Sequence, residues 1–261
     1  MFKEYDGVQV RVELDKFNSE HFGLQMGNMN VSLVDSGMEP AKVLGGISSA
    51  IEDARQEGFQ HLTCRVRTAD KLVANAVVRN EFRIADTLVT YCFWLGKSTL
   101  TPMTHRCTLG DCREEDIPRL KEIARTSFQI DRFHSDPALS NELCDLYYER
   151  WFENSCRGFA DKVSVAYHNG KPVGFTTGKY PEGDEFIYVV LSAVDADIRG
   201  QGLYTSMVYD VVQWAQGVAK NCPHVKGIRL GTQIDNVIVQ KAWIRLGFTM
   251  YDSQYVFQRT I

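Results

Sequence analysis

The chain has 261 residues, 44% hydrophobic and 24% charged, a globular balance that excludes disordered, collagenous and fibrous classes. Twenty-nine lysines and arginines face 33 acidic residues, a net charge of −4, so no overall field gathers polyanions and no nucleic-acid partner is expected. No apolar stretch reaches the roughly 18 residues of a membrane span, and MFKEYDGVQV at the start has no apolar core after its charge. These features predict a cytoplasmic protein without a membrane partner. The seven cysteines at 64, 92, 107, 112, 144, 156 and 222 form no Cys-x-x-Cys and have no histidine at ligand spacing; reduced thiols and no metal are expected.

In chain order, the pattern predicts a strand near Gln25 to Val34, a helix from Ala41 to Glu57 and a strand from His61 to Arg67, followed by a helix and a strand. Leu100 to Asp111, with Thr101-Pro102, has the composition of a linker. Arg113 to Phe128 and Asn141 to Asn154 read as helices. A hairpin follows, Val163 to Tyr167 and Pro172 to Tyr180 around Asn169-Gly170, a pair that tolerates positive φ. Then come an apolar strand from Phe186 to Val194, a glycine-bearing loop, a helix from Leu203 to Ala219 and a strand from Gly227 to Thr232. A helix from Asn236 to Leu246, stopped by Gly247, and a strand from Tyr251 to Gln258 close the chain. An α/β (α+β) fold is expected, a central mixed twisted sheet with helices on both faces.

The two halves echo each other. Laying Glu81-Phe82 over Gly247-Phe248, an offset of 247 minus 81, or 166, places Asp70 on Asn236, Ala76 on Ala242 and Asp86 on Asp252 without a gap. Two domains follow, 1–105 and 106–261. The first half offers Asp35-Ser36-Gly37-Met38-Glu39-Pro40 where the second has Arg199-Gly200-Gln201-Gly202, so only the second is expected to bind at this position.

Val194-Asp195-Ala196-Asp197-Ile198-Arg199-Gly200-Gln201-Gly202-Leu203-Tyr204 sets two glycines between a buried strand and the first turn of a helix. Such a turn can aim several backbone N–H groups at one spot. With the helix dipole they make an anion site suited to a diphosphate. An ordinary tight connection uses the same residues.

Together with a second motif this segment resembles the GNAT acyltransferase superfamily. Its Arg/Gln-x-x-Gly-x-Gly/Ala falls on Arg199, Gly202 and Tyr204, and its Asn-x-x-Ala-x-x-x-Tyr-x-x-x-Gly-Phe on Asn236, Val239, Trp243, Gly247 and Phe248. The resemblance covers about 108–261, which makes the first half a degenerate GNAT-like unit without the loop. A narrower likeness is to bacterial nucleotide-sugar N-acyltransferases of the dTDP-fucosamine acetyltransferase type. It is carried by Phe17-Asn18-Ser19-Glu20-His21-Phe22-Gly23, Asp131-Arg132-Phe133-His134-Ser135-Asp136-Pro137 and Thr232-Gln233-Ile234-Asp235-Asn236. It implies acyl transfer from acyl-CoA, as acetyl-CoA or a short hydroxyacyl-CoA, to the amine of a nucleotide-linked amino sugar.

The resemblance implies that Leu191, Ser192, Ala193, Val194, Arg199, Gly200, Gln201, Gly202, Leu203, Tyr204, Thr205, Asn236 and Trp243 line the coenzyme. A backbone N–H between Leu191 and Val194, with Ala193 the expected residue, would polarise the thioester carbonyl. Two positions depart from the pattern. Tyr204 replaces glycine or alanine, its ring packing on coenzyme or in the core. Trp243 stands where the family tyrosine protonates the departing sulfur, and an indole N–H has no usable acidity; Tyr188, Tyr251 or Tyr255 are alternatives. His134 is the expected base for the incoming amine, with Asp235 a weaker one. Arg132, Arg150 and Arg157 suit a sugar diphosphate, and Arg132, Phe133, His134, Arg157 and Tyr188 are the expected acceptor contacts. Phe128, Phe133, Tyr147, Tyr148, Trp151 and Phe152 can stack on a base or simply pack. Other small amines or protein amines as acceptors, and a non-catalytic acyl-CoA sensor, are the competing readings. A degenerate first unit would cover a sheet edge or form a homodimer interface.

Overall fold

The computed structural model describes residues 1–128 and 131–261. Its strands are β1 (Phe2–Tyr5), β2 (Val8–Leu14), β3 (Met26–Leu33), β4 (His61–Arg67), β5 (Arg83–Trp94), β6 (Thr108–Asp111), β7 (Lys162–His168), β8 (Lys171–Lys179), β9 (Phe186–Val194), β10 (Gly227–Gln233) and β11 (Thr249–Thr260). Its helices are α1 (Lys16–Phe22), α2 (Pro40–Gln56), α3 (Lys71–Arg79), α4 (Ile117–Ser127), α5 (Asn141–Asn154), α6 (Leu203–Asn221) and α7 (Val237–Leu246).

Four of these elements were not expected. The β1–β2 hairpin turns on Asp6-Gly7, whose φ values of 49° and 86° match the 51° and 74° of Asn169-Gly170, so the same Asx-Gly signal was present in both halves. Helix α1 is capped by Asp15, whose side chain accepts from Asn18 N–H, and ends in left-handed Gly23. The stretch expected to be a linker ends instead in β6, paired antiparallel with β7.

Two compact units result. The first holds residues 1–88, 131–143 and 252–261; the second holds 89–128 and 144–251. Packing therefore cuts across the expected 1–105 and 106–261 division. In the first unit the order is β1-β2-β3-β4-β11, with β3 and β4 parallel and β11 antiparallel to β4 from Gln254–Arg67 to Thr260–His61. A core of Val8, Val10, Val12, Ile47, Ile51, Leu62, Val77 and Phe257 lies between strands and helices.

In the second unit β5 precedes β10-β9-β8-β7-β6. The sheet is mixed, because β9 and β10 are parallel while β6 to β9 pair antiparallel. Alternation along β8 separates its two faces. Gly174 and Gly178 face α6, where an added Cβ would lie 2.8 Å from the Ala193 carbonyl and 2.8 Å from Trp214; only glycine lets that helix lie so close. Phe175 points the other way, onto Phe152 of α5 at 4.1 Å. Helices thus cover both faces.

The 166-residue offset carries element boundaries of one half onto those of the other. Asp70 precedes α3 and Asn236 precedes α7; Glu81 and Gly247 both have positive φ, 62° and 99°. Phe82 and Phe248 are both buried, and the twelve residues of β5 map onto the twelve of β11.

Candidate active site

Strands β9 and β10 pair only at Phe186–Gly227, Ile187–Ile228 and Tyr188–Arg229, after which no further pairing joins them. Beyond Tyr188 the two strands part. The cause is local: β9 carries an extra residue opposite β8, since Gly178 pairs with Val189 and Thr176 with Ser192. At this bulge Thr177 Oγ1 accepts from Leu191 N–H (3.0 Å) and donates to the Leu191 carbonyl (3.3 Å). Thr177 had no signal in the sequence, because its partner sits across a strand pair fourteen residues on.

The bulge fixes which amides face the gap. Asp195 N–H donates to the Val173 carbonyl, and antiparallel alternation then directs Ala193 N–H to Phe175 in β8 and those of Ser192 and Val194 away from β8. With Leu191 held by Thr177, the expected donor moves from Ala193 to Ser192 or Val194. Ala193 is excluded because its amide belongs to the sheet ladder.

After β9, Asp195 caps a single turn, Ala196–Ile198, by accepting from Asp197 N–H (3.2 Å), and its carboxylate is paired with Arg119 of α4. Arg199 Nε–H donates to the Val194 carbonyl (3.3 Å), folding the arginine back over the strand end. Gly200 and Gly202 adopt φ of 81° and 83°, with open space where a Cβ would stand. Gly202 is the N-cap of nineteen-residue α6 and no side chain caps it. The N–H groups of Leu203, Tyr204 and Thr205 have no carbonyl one turn back, so they project with the positive end of the helix dipole. Gln201 lies between the glycines. The donor set and the uncovered approach fit a diphosphate.

The first unit lacks this device. The N-cap of α2 is Glu39, followed by Pro40; one brings negative charge and the other removes an N–H, both unfavourable to an anion.

The two departures from the family motif meet. Trp243 is buried against Tyr91 (ring centroids 5.5 Å), and its Nε1–H donates to Tyr204 Oη at 2.7 Å. Burial pushes the Tyr204 phenol up, while hydrogen bonds from Trp243 and Ser192 pull it down. Ser192 shares the α6 face of the sheet with its partner Thr176. The ring of Tyr204 packs in the core with Trp243, Val208 and Val212, so of its two expected places the core is the one found. Asn236, at the start of α7, donates through Nδ2 to Thr232 Oγ1 (3.0 Å) and makes no capping bond.

Arg132, Phe133 and His134 belong to the first unit. Their segment is held at both ends. Asp131 accepts from Phe133 N–H (2.6 Å) and His134 N–H (3.1 Å), and its other oxygen meets His134 Nδ1 at 2.8 Å. Asp136 is bound by His61 Nε2 (2.9 Å), Arg83 (2.6 Å) and Ala138 N–H (3.0 Å). Burial opposes the charge on Asp136, but these three partners prevail and lower its pKa to about 2. Phe133 is not an acceptor contact, because its ring is 2% exposed and packed on Phe22 at 5.3 Å. Arg132 lies over that ring and reaches Thr63 Oγ1.

In the second unit, Arg157 pairs with Glu114 (2.7 Å) and Tyr188 donates to Asp184 (3.1 Å). Tyr147, Tyr148 and Phe152 are buried and Phe128 stacks on Tyr148 at 4.2 Å, so this aromatic set is packing. No group of three or more His, Cys, Asp or Glu that could hold a metal occurs among the described residues. No described helix is long and apolar enough to cross a membrane.

Comparison with known proteins agrees with this geometry. The spore coat polysaccharide biosynthesis protein SpsD of Bacillus subtilis is 29% identical over 149 residues, 57% of this chain and 49% of that protein. The dTDP-fucosamine acetyltransferase of Escherichia coli O6:H1 is 26% identical over 153 residues, 56% of this chain and 61% of that enzyme. The chain thus spans about half to three fifths of the length of these relatives. A GCN5-related N-acetyltransferase from Sphaerobacter thermophilus shares the fold, with a TM-score of 0.66 over 97% of this chain and 76% of that one at 11% identity. Residues 117–248 match the Acetyltransferase (GNAT) family, and the chain belongs to it.

Proposed function

We propose that the chain moves an acyl group, acetyl or a short hydroxyacyl, from acyl-CoA to the amino group of an amino-dideoxy sugar carried on a nucleotide such as dTDP, the second repeat holding the coenzyme. The observation that carries acyl transfer is the parting of β9 from β10 after Tyr188–Arg229, directly ahead of two left-handed glycines and an uncapped helix. The sugar acceptor is supported by the name of the E. coli relative and by the polysaccharide role in that of SpsD.

In this reading the amides of Leu203, Tyr204 and Thr205 hold the diphosphate, and Arg199 adds positive charge at the strand end. The thioester lies in the gap, its carbonyl on the N–H of Ser192 or Val194, a fixed dipole that stabilises the tetrahedral oxyanion. A neutral amine attacks the carbonyl carbon, the C–N bond forms, the C–S bond breaks and the thiolate leaves. Trp243 cannot protonate it. Tyr204 brings a phenol within 2.7 Å of the indole nitrogen, so the hydroxyl missing from α7 is supplied from α6, and we assign it the proton of the departing thiol. Burial keeps this phenol protonated at pH 7 while making it a weaker acid, so the assignment rests on its placement beside the indole and not on its acidity. His134, whose Nδ1 meets Asp131, is the candidate base for the amine's proton.

Thiol release from acetyl-CoA with a panel of nucleotide-linked amino sugars tests this reading. Turnover with a dTDP-amino sugar and none with polyamines is expected. Turnover with no amine despite tight CoA binding would favour the sensor reading, which Trp243 and the missing loop of the first half support.

A further inference from the structure

Cys112 follows β6 and Cys156 lies in the turn Ser155–Phe159 that ends α5, yet their sulfurs are 3.7 Å apart. Both are half-buried rather than enclosed, and both line an open cleft of about 460 Å³ with Arg113, Glu114, Lys162 and Trp214. Nothing in the acyl-transfer reading uses them. The contrast with other cysteines is chemical: Cys64 and Cys92 are fully buried, and burial pushes their thiols up to about 12 and about 11, which makes them inert.

We propose that Cys112 and Cys156 are a dithiol site that low-molecular-weight disulfides oxidise reversibly to an intramolecular disulfide. A disulfide bond is about 2.05 Å long, so the sulfurs must close by less than 2 Å. The backbone allows this at the Cys156 end, because its turn is irregular, with Arg157 off helical geometry and Gly158 at φ 108°. The roles of the two thiols differ. The hydrogen bond the two sulfurs share and the charge of Arg157 bring the Cys156 thiol down against its burial, while the same bond and burial hold the Cys112 thiol up. Glu114 and Glu153 oppose the Cys156 thiolate, and Asp116 and Glu114 oppose ionisation of Cys112.

Cys156 is the attacking sulfur. Its thiolate attacks the small disulfide RSSR, the Cys156–SR bond forms, the RS–SR bond breaks and one RS⁻ leaves. The Cys112 sulfur, losing its proton to the medium, then attacks Sγ of Cys156; the Cys112–Cys156 bond forms and the second RS⁻ leaves. Two protein thiols lose two electrons, RSSR becomes two RSH, and the two protons end on the released thiols. The bond closes a loop 44 residues apart in sequence, so it stiffens the edge formed by β6 and the end of α5.

The test is incubation of the full chain with oxidised glutathione at pH 7.5, quenching by alkylation at timed intervals, and peptide mapping without reduction. A 112–156 cross-linked peptide pair should form at least about tenfold faster than adducts on Cys64 or Cys92, and dithiothreitol should restore both thiols. Cys112→Ser should stop at a stable glutathione adduct on Cys156, and Cys156→Ser should slow the reaction of Cys112 at least about tenfold. The proposal is overturned if the wild-type chain gives no cross-link while other cysteines react, or if the two variants lose thiols at the wild-type rate. Wild-type alkylation rates decide the case even where a variant fails to fold. Activity is not part of the readout, so failure here leaves the acyl-transfer reading standing.

Discussion

At Gly200 and Gly202 the space beyond the Cα is empty, so the backbone angle rather than crowding demands glycine. Gly202→Ala keeps the left-handed turn at a cost of about 1 kcal/mol, or escapes it by swinging the amides off the anion. CoA affinity should fall at least about tenfold by calorimetric titration, with melting temperature down only a few degrees. Tyr204→Phe removes one hydroxyl from a pair that the family motif does not contain. It should leave the Kd for CoA unchanged and lower kcat by roughly 10- to 100-fold; unchanged kcat would return Tyr204 to a packing role. Asp136 gives a prediction in pH. The Asp136 carboxyl is depressed to about 2, so its contribution is present above the unfolded carboxylate pKa near 4 and is lost as pH falls through about 2. Asp136→Asn should therefore destabilise by roughly 2 kcal/mol at pH 7, with the difference from wild type shrinking between pH 4 and pH 2 in thermal melts.

At the scale of elements, Glu81 and Gly247 end equivalent helices with the same left-handed step, but only one is glycine. Glu81→Gly should stabilise by about 0.5–1 kcal/mol, less the small exposed pair with Arg259. Gly247→Ala should destabilise by about 3 kcal/mol, because its Cβ would lie 2.5 Å from the Thr99 carbonyl as well as in a strained φ. Denaturant midpoints check both. Elements whose signal is local were legible in the sequence: His61–Arg67, Asn141–Asn154 and Phe186–Val194 coincide with their expected bounds. Strand β6 was not, since four residues become a strand only by pairing with β7. The loop from Arg199 to Gly202 could be read because its chemistry is consecutive in sequence. The amide proposed to polarise the thioester could not, because the bulge that takes Leu191 and Ala193 out of contention depends on Thr177 and Phe175 across the ladder. Phe133 looked like a recognition aromatic only while Phe22 was unplaced.

For the whole molecule, the expected division at residue 105 is sequential but the packing units are not. The end of the chain, Gln254–Thr260, is the partner of β4 in the first unit. Truncation after Tyr251 should expose the β4 edge and release the Phe257 side of the first core, giving aggregation by light scattering. The same interleaving places Val89–Trp94, which fall before the expected boundary at 105, in the second unit. What the account most needs is an anion site made of main-chain amides at the start of α6. Calorimetric titration of acetyl-CoA and of acetyl-pantetheine, which keeps the thioester but lacks the diphosphate, measures that site directly. Binding of acetyl-CoA at least about 100-fold tighter, with the difference collapsing in Gly202→Ala, is the predicted result; equal affinity for the two ligands, or a difference indifferent to that substitution, would contradict it.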